Sequence, residues 1–400
     1  MPSGPPSAGS AGGYPRFSPA ERARRWQAFE ETLAEAGLAH ALVYGAERQG
    51  PAVQWLTGWP VTREAVLVWW RGGEPQLLVE HANHLDSARE LAQGVEVRWG
   101  QGRAVQLGAE LLRRAGAAGE PVGVAGPLPA RSLSALQAAE GQVRFVDDLV
   151  QRLRLRKSPE ELAWLRVGAA LTDRAVDRWR TGLAAGATEA ELLSELEVAA
   201  HPLGATTSIH YLALTAMDDP DRAVPAQWPR ARRVRPGDLL ACEVSVSWWG
   251  YPGQLLRTFT VGADPTPTVR RLHELAEQAF AAMAAAARPG VFAGELADAA
   301  RRVLEPAGVR TVDDLAHGFG GGYLPPVLPG GNRPGRHDAM VIEEGMAIVL
   351  QPNVVDPERP LGVQVGELGV VTDEGWRSLH QAPWGLERLE IDAPAPGSHH

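Results

Sequence analysis

Apolar residues recur at helical spacing over residues 20–36 and then contract into short runs separated by polar turns. The first pattern predicts an amphipathic helix and the second predicts strands. The strand candidates are Ala41-Leu42-Val43-Tyr44, Glu64-Ala65-Val66-Leu67-Val68-Trp69-Trp70, Gln76-Leu77-Leu78-Val79, Val122-Gly123-Val124-Ala125 and Val143-Arg144-Phe145-Val146, with a further helix at 130–139. Strands alternating with helices predict an α/β domain over residues 15–152.

After a join at 149–157 the pattern changes. Ser158-Pro159-Glu160-Glu161 has an N-cap serine, a proline at the first helical position and a glutamate three residues after the cap, the signature of a helix start. Thr188-Glu189-Ala190-Glu191 repeats it for a helix ending near His201. Strand-like segments fill 234–261, a long helix is predicted over 267–287 and stopped by Pro289-Gly290, and a short one over 294–304. Glycine-rich turns and short apolar strands complete a second domain over 156–390. Residues 1–14, rich in Pro, Gly and Ser, are expected to be a disordered tail, and 391–400 a second tail. Its final histidines have the look of a purification tag and are excluded from the search for a site.

Composition narrows the function only slightly. The chain has 400 residues, 44% hydrophobic and 22% charged, as expected of a soluble globular protein. Its net charge of -9 argues against a nucleic-acid partner. The single cysteine, Cys242, forbids an internal disulfide and suits a reducing cytoplasm. No run of 18 apolar residues and no signal-like start is present, so no membrane association is expected.

Chemistry is concentrated late in the chain. Alternation along Ala241-Cys242-Glu243-Val244-Ser245 puts Glu243 on one strand face and Cys242 on the other, where a buried thiol is the favoured reading over a nucleophile. A glutamate in an apolar strand needs a partner or a job. His317, in His317-Gly318-Phe319-Gly320-Gly321, is either an acid/base group or a side chain satisfied by backbone. His210 is either a substrate-facing residue or a core histidine.

In order and spacing, five segments resemble the M24 "pita-bread" family of prolidase, aminopeptidase P, methionine aminopeptidase and creatinase. They begin at Gly237-Asp238, Gly250-Tyr251, His317-Gly318, Gly345-Met346 and Gly362-Val363. The amino-terminal pattern, with Trp55-Leu56-Thr57-Gly58, resembles the creatinase–prolidase branch. The resemblance implies a creatinase-type α/β domain followed by a pita-bread domain with an antiparallel sheet and outer helices. It also implies a homodimer in which Trp55, Trp59 and Arg63 reach over the neighbouring subunit's cleft.

Metal-dependent members hold two divalent ions between two Asp, one His and two Glu. Carried onto this sequence, those ligands fall on Glu243, Gln254, Gly321, Gln351 and Gly366, with Glu367 beside the last. The family's further histidines fall on Ala226 and Leu328. Neutral amides and glycines cannot compensate two divalent cations, so neither metal nor other cofactor is expected. The reading that follows is a metal-independent enzyme acting on a small nitrogen-containing molecule by C–N hydrolysis, elimination or cyclisation. Glu243 and His317 would serve as acid/base groups, with Glu367 a further catalytic candidate. Gln254, Gln351, His210, Tyr251 and Trp249 would bind substrate together with Trp55, Trp59 and Arg63. The alternatives are a non-catalytic binding protein and, if the ligand register is shifted, an Xaa-Pro metallopeptidase.

Overall fold

The computed structural model describes residues 13–140, 142–331 and 333–392. The tail expected over 1–14 lies outside that range except for Gly13 and Tyr14. Two compact units divide between Arg154 and Leu155. No helix among the described residues is long and apolar enough to cross a membrane.

The first unit is a six-stranded mixed sheet covered by helices. Its strands lie in the order Glu96–Trp99, Gln76–Val79, Ala65–Trp70, His40–Gly45, Val122–Ala125, Val143–Phe145. The predicted strands are all present. Glu96–Trp99 was not anticipated: an edge strand with mostly exposed residues offers no apolar run to detect. Trp55 lies in the short helix Pro51–Thr57, which ends at Gly58 in the left-handed region that glycine tolerates.

The second unit starts where the capping signature places it. Ser158 accepts from the Glu161 backbone N–H, while the Glu161 carboxylate accepts from the Ser158 N–H, and the helix Pro159–Arg180 follows. Thr188 and Glu191 do the same for Glu189–Ala200. These helices pack on strands Thr207–Ala216, Asp238–Trp248 and Leu255–Val261. A second pair, Pro267–Ala286 and Ala293–Leu304, packs on Asp314–Phe319, Ala347–Leu350 and Gly366–Thr372. One largely antiparallel ten-stranded sheet joins the two halves. The C-terminal tail begins later than expected, because Ile391–Asp392 pairs in parallel with Leu183–Ala184.

Where Leu255–Val261 meets Gly366–Thr372, Arg257 and Glu367 form an ion pair of 2.6 Å, both side chains almost wholly buried. The guanidinium also donates to the carbonyls of Leu256, Gly366 and Pro383 and lies 4.3 Å over the Trp384 ring. With its donors taken up this way the pair is tolerable inside the sheet, whereas either partner alone would be a buried, uncompensated charge. Glu367→Ala is therefore expected to destabilise the second unit by about 3–5 kcal/mol, read as a fall in the urea midpoint. An unchanged midpoint would show that the pair is not holding the strands.

Candidate functional site

Side chains alternate across a strand, and that rule sorts the candidates. Glu243 in Asp238–Trp248 lies opposite Tyr211 on one side and Leu256 on the other, so these three share a face. Cys242 takes the opposite face, in the core, where burial pushes its thiol up to about 12 and removes it as a nucleophile. Leu256 in turn lies opposite Gly366, and His317 lies opposite Val349, two residues before Gln351.

The polar groups on this face meet. The Gln254 amide Nε2 donates to Glu243 Oε1 at 2.6 Å and to Gln351 Oε1 at 3.3 Å. Gln351 Nε2 donates to the Asp314 carbonyl at 3.1 Å. The fully buried His317 ring hydrogen-bonds the Gln351 side chain and, through Nδ1, the Gly318 carbonyl at 3.1 Å. It stacks on Tyr323 with centroids 4.0 Å apart, and the Tyr323 hydroxyl donates to Asp314 Oδ2 at 3.0 Å. Gln254 Oε1 has no hydrogen-bond partner among the described residues, although Gln254 is only 2% exposed.

Burial, then repulsion from the Asp313 charge, raises the Glu243 carboxyl to about 7; the Gln254 hydrogen bond opposes the rise. His317 moves the other way. Burial lowers its imidazole to about 4, so the ring is neutral at physiological pH while hydrogen-bonded to Gln351 and the Gly318 carbonyl. The same two forces act on the site's phenols: burial and the charges of Glu243 and Asp313 raise Tyr211 and contribute to raising Tyr323. Asp313 is set in place by its neighbour Asn353, whose Oδ1 accepts from the backbone N–H groups of Val312 and Asp313.

Several expectations are corrected. Glu367 is one residue past the site-facing Gly366 and so points to the other face, where Arg257 holds it. At Gly366 a Cβ would stand 2.3 Å from the Leu350 carbonyl oxygen and 2.8 Å from Gln351 Cα, leaving no space for a side chain. Gly321 belongs to a turn and donates its N–H to the Gly250 carbonyl; the imidazole beside Gln351 is His317. His210 misses the site by one residue, facing away with its Nε2 3.4 Å from Glu197, and Tyr211 takes the place expected of it.

The remaining candidates have partners within the fold. The Tyr251 hydroxyl donates to Glu161 at 2.9 Å, tying the hairpin to the capped helix. Trp249 forms the turn of that hairpin with Gly250, both at positive φ, and its N–H donates to Thr206 Oγ1. In the first unit Trp55 and Trp59 are buried within their own core, at 4% and 3% exposure, which does not suit rings meant to reach into another subunit. Arg63 is exposed and pairs with Glu47. Tyr211, Asp313, Asp314 and Tyr323 were missed. Only Tyr211 had a signal, since the alternation that placed Glu243 also governs its neighbouring strand.

Residues 163–373 match metallopeptidase family M24, more than half of the chain. The chain belongs to that family. The Xaa-Pro dipeptidase of Lactobacillus helveticus is 27% identical over 252 residues, covering 62% of this chain and 65% of that protein, so the match spans just under two thirds of the relative. The probable dipeptidase PepE of Mycobacterium tuberculosis (strain ATCC 25618 / H37Rv) is 28% identical over 275 residues, covering 67% and 70%. The crystal structure of dipeptidase PepE from Mycobacterium ulcerans superposes with a TM-score of 0.79 at 27% identity, over 94% of this chain and 100% of that one. The prolidase from Pyrococcus horikoshii OT3 gives 0.78 over 91% and 99%; at 20% identity that likeness is one of fold. The two-part M24 architecture expected from the sequence is thereby established.

As an M24 centre, the cluster offers one carboxylate, one imidazole and two neutral amides. Among the described residues no group of three or more His, Cys, Asp or Glu is arranged to hold a metal ion. This donor set does not fit a pair of divalent cations.

The raised Glu243 carboxyl carries a sign that can be measured. In the folded chain it keeps its proton up to about pH 7, whereas unfolded it releases it near the ordinary 4.5. Its stabilising contribution is complete below the unfolded value and lost as pH rises through the folded one, a fall of roughly 3 kcal/mol. Glu243→Gln removes that titration, so the variant should lose less stability than the parent between about pH 5 and about pH 8 in urea melts. Parallel pH profiles would show that Glu243 titrates normally.

Proposed function

We propose that this chain is a metal-independent M24 hydrolase that cleaves a C–N bond in a small, dipeptide-sized substrate with Glu243 as its general base. The observation that carries the reading is a partly exposed carboxyl raised to about 7 by burial and the Asp313 charge and oriented by a glutamine amide, within the domain that relatives named as dipeptidases share. A base of that pKa is half ionised at neutral pH and can both take and return a proton.

The chemistry needs only this group and water. Glu243 removes a proton as the water oxygen bonds to the carbonyl carbon; the C–N bond then breaks and the same proton passes to the departing nitrogen. Gln254 spends its two N–H donors on Glu243 and Gln351, so it positions the base and does not polarise the carbonyl. Gln351 keeps one N–H beyond its bond to Asp314 and is the better candidate for that task. His317 holds Gln351.

The description of the family and the names of relatives as Xaa-Pro dipeptidases favour a second reading, a metallopeptidase; the donor set speaks against it. Hydrolysis of alanyl-proline by dialysed protein, with and without chelator, separates the two. Turnover insensitive to chelator, with a loss of about a hundred- to ten-thousand-fold in Glu243→Gln, is expected. Two equivalents of transition metal per chain, with turnover abolished by chelator and restored by the ion, would replace this proposal by the metallopeptidase reading. His317→Asn should cost far less than Glu243→Gln, because a neutral brace is replaced by another hydrogen-bonding side chain; equal losses would return His317 to the role of proton carrier.

A further inference from the structure

The first unit holds a cavity of about 300 Å³ where its sheet ends at the edge strand Glu96–Trp99. The helix Ala104–Arg114 buries one stripe, Val105, Gly108, Ala109 and Leu112, against the sheet. A neighbouring stripe at helical spacing, Leu107, Glu110, Leu111 and Arg114, lines the cavity instead. From the sheet side, Arg98 pairs in register with Leu78, so both lie on the face that the helix covers. The buried Leu78 and the half-buried Leu107 and Leu111 make much of the lining apolar. Its polar groups are unbalanced, with the guanidiniums of Arg98, Arg103 and Arg114 set against the single carboxylate of Glu110. Arg103 already holds that carboxylate at 2.8 Å. The hydrogen-bond partner of Arg98 is neutral, Gln76 Oε1 at 3.1 Å, and Glu96 stands 4.0 Å off. Arg114 makes no hydrogen bond or ion pair among the described residues. Trp99 is a second, independent observation: its Nε1 donates to the Glu80 carbonyl at 2.8 Å, which fixes the ring, yet the residue stays 48% exposed beside the cavity.

We propose that this cavity binds a small aromatic anion, its flat body against Trp99 and the leucines and its phosphate or carboxylate group held by Arg98 from the strand and Arg114 from the helix. Guanidinium forks match both groups in geometry and charge, and two of them reach the cavity without a carboxylate at bonding distance. An indole whose N–H is already bonded offers its ring face and no further donor, so it selects for a flat apolar partner. The volume is at the lower end of cavities that enclose small organic molecules, which excludes a macromolecular ligand. Every lining residue belongs to the first unit, so the proposal is independent of the reading of Glu243 and either can fail alone.

The test is titration calorimetry on the full chain with four probes: phenyl phosphate, benzoate, inorganic phosphate and benzyl alcohol. At least one of the two aromatic anions is expected to bind about tenfold or more tightly than either the inorganic anion or the neutral ring, and the stronger of the two identifies the preferred charged group. Arg114→Gln should weaken that binding about tenfold and Trp99→Leu several-fold. Arg114 is exposed and its replacement disturbs no contact among the described residues, so a folded variant is expected. Three results would overturn the proposal. They are aromatic anions that bind no better than benzyl alcohol, inorganic phosphate that matches phenyl phosphate (an adventitious ion only), and an affinity that Arg114→Gln leaves intact, which would place the probe elsewhere on the chain. The ranking of the probes on the wild-type chain needs no variant, so a misfolded Trp99→Leu does not blunt the test.

Discussion

The buried pair of Arg257 and Glu367 fixes which way every strand around the site faces. With the guanidinium locked to one side of Leu255–Val261 and the carboxylate to the same side of Gly366–Thr372, a slip of one residue would expose a charge to the wrong layer. Period-two alternation then carries that choice outward. Leu256, Glu243 and Tyr211 follow on the opposite face in one direction, and Gln351 and His317 in the other. The polar cluster is thus assembled from separate strand segments and the Gln254 turn, with Gln351 97 residues along the chain from Gln254.

Its electrostatics follow from what surrounds the one carboxyl that remains. Two neutral glutamines supply hydrogen bonds without charge, and the charge that acts on Glu243 is another acid, Asp313. A carboxyl in such a place is pulled towards its neutral form, and the imidazole buried beside Gln351 in the same cluster is pulled towards its own. Burial therefore favours the uncharged form of both acid and base at the centre of the cluster, while Asp313 lies exposed at its edge.

The architecture was legible because it is written in local signals. Ser158 and Thr188 announce their helices, and apolar runs mark the central strands, whereas the exposed strand Glu96–Trp99 has no such run. At the site, legibility stopped at the level of the strand. Glu243, Gln254, Gln351 and His317 were found because each sits inside a patterned segment. Glu367 and His210 failed by a single residue each, since alternation gives parity only once a register is known, and pairing depends on residues far away in the chain. Asp313 and Tyr323 were beyond reach: Asp313 lies just before a strand, in a loop that Asn353 holds, and Tyr323 begins the neighbouring strand. Tyr251 shows the opposite failure, a side chain inside a recognised motif whose partner is a helix cap.

The close approach at Gly366 constrains how the pocket can change. A backbone contact is not a side chain that can be swapped: the Leu350 carbonyl occupies the very volume that any longer residue would need. Any single substitution there collides before it can contribute a new group, and only a prior displacement of the strand bearing Gln351 would make room. At Gly366, a route to another donor therefore has an obligatory order, with backbone movement first and chemistry second. Change is cheap at Gln254 or Gln351, where one atom separates an amide from an acid, and obstructed at Gly366, so the pocket's history and its redesign are both biased towards altering charge in place over adding groups.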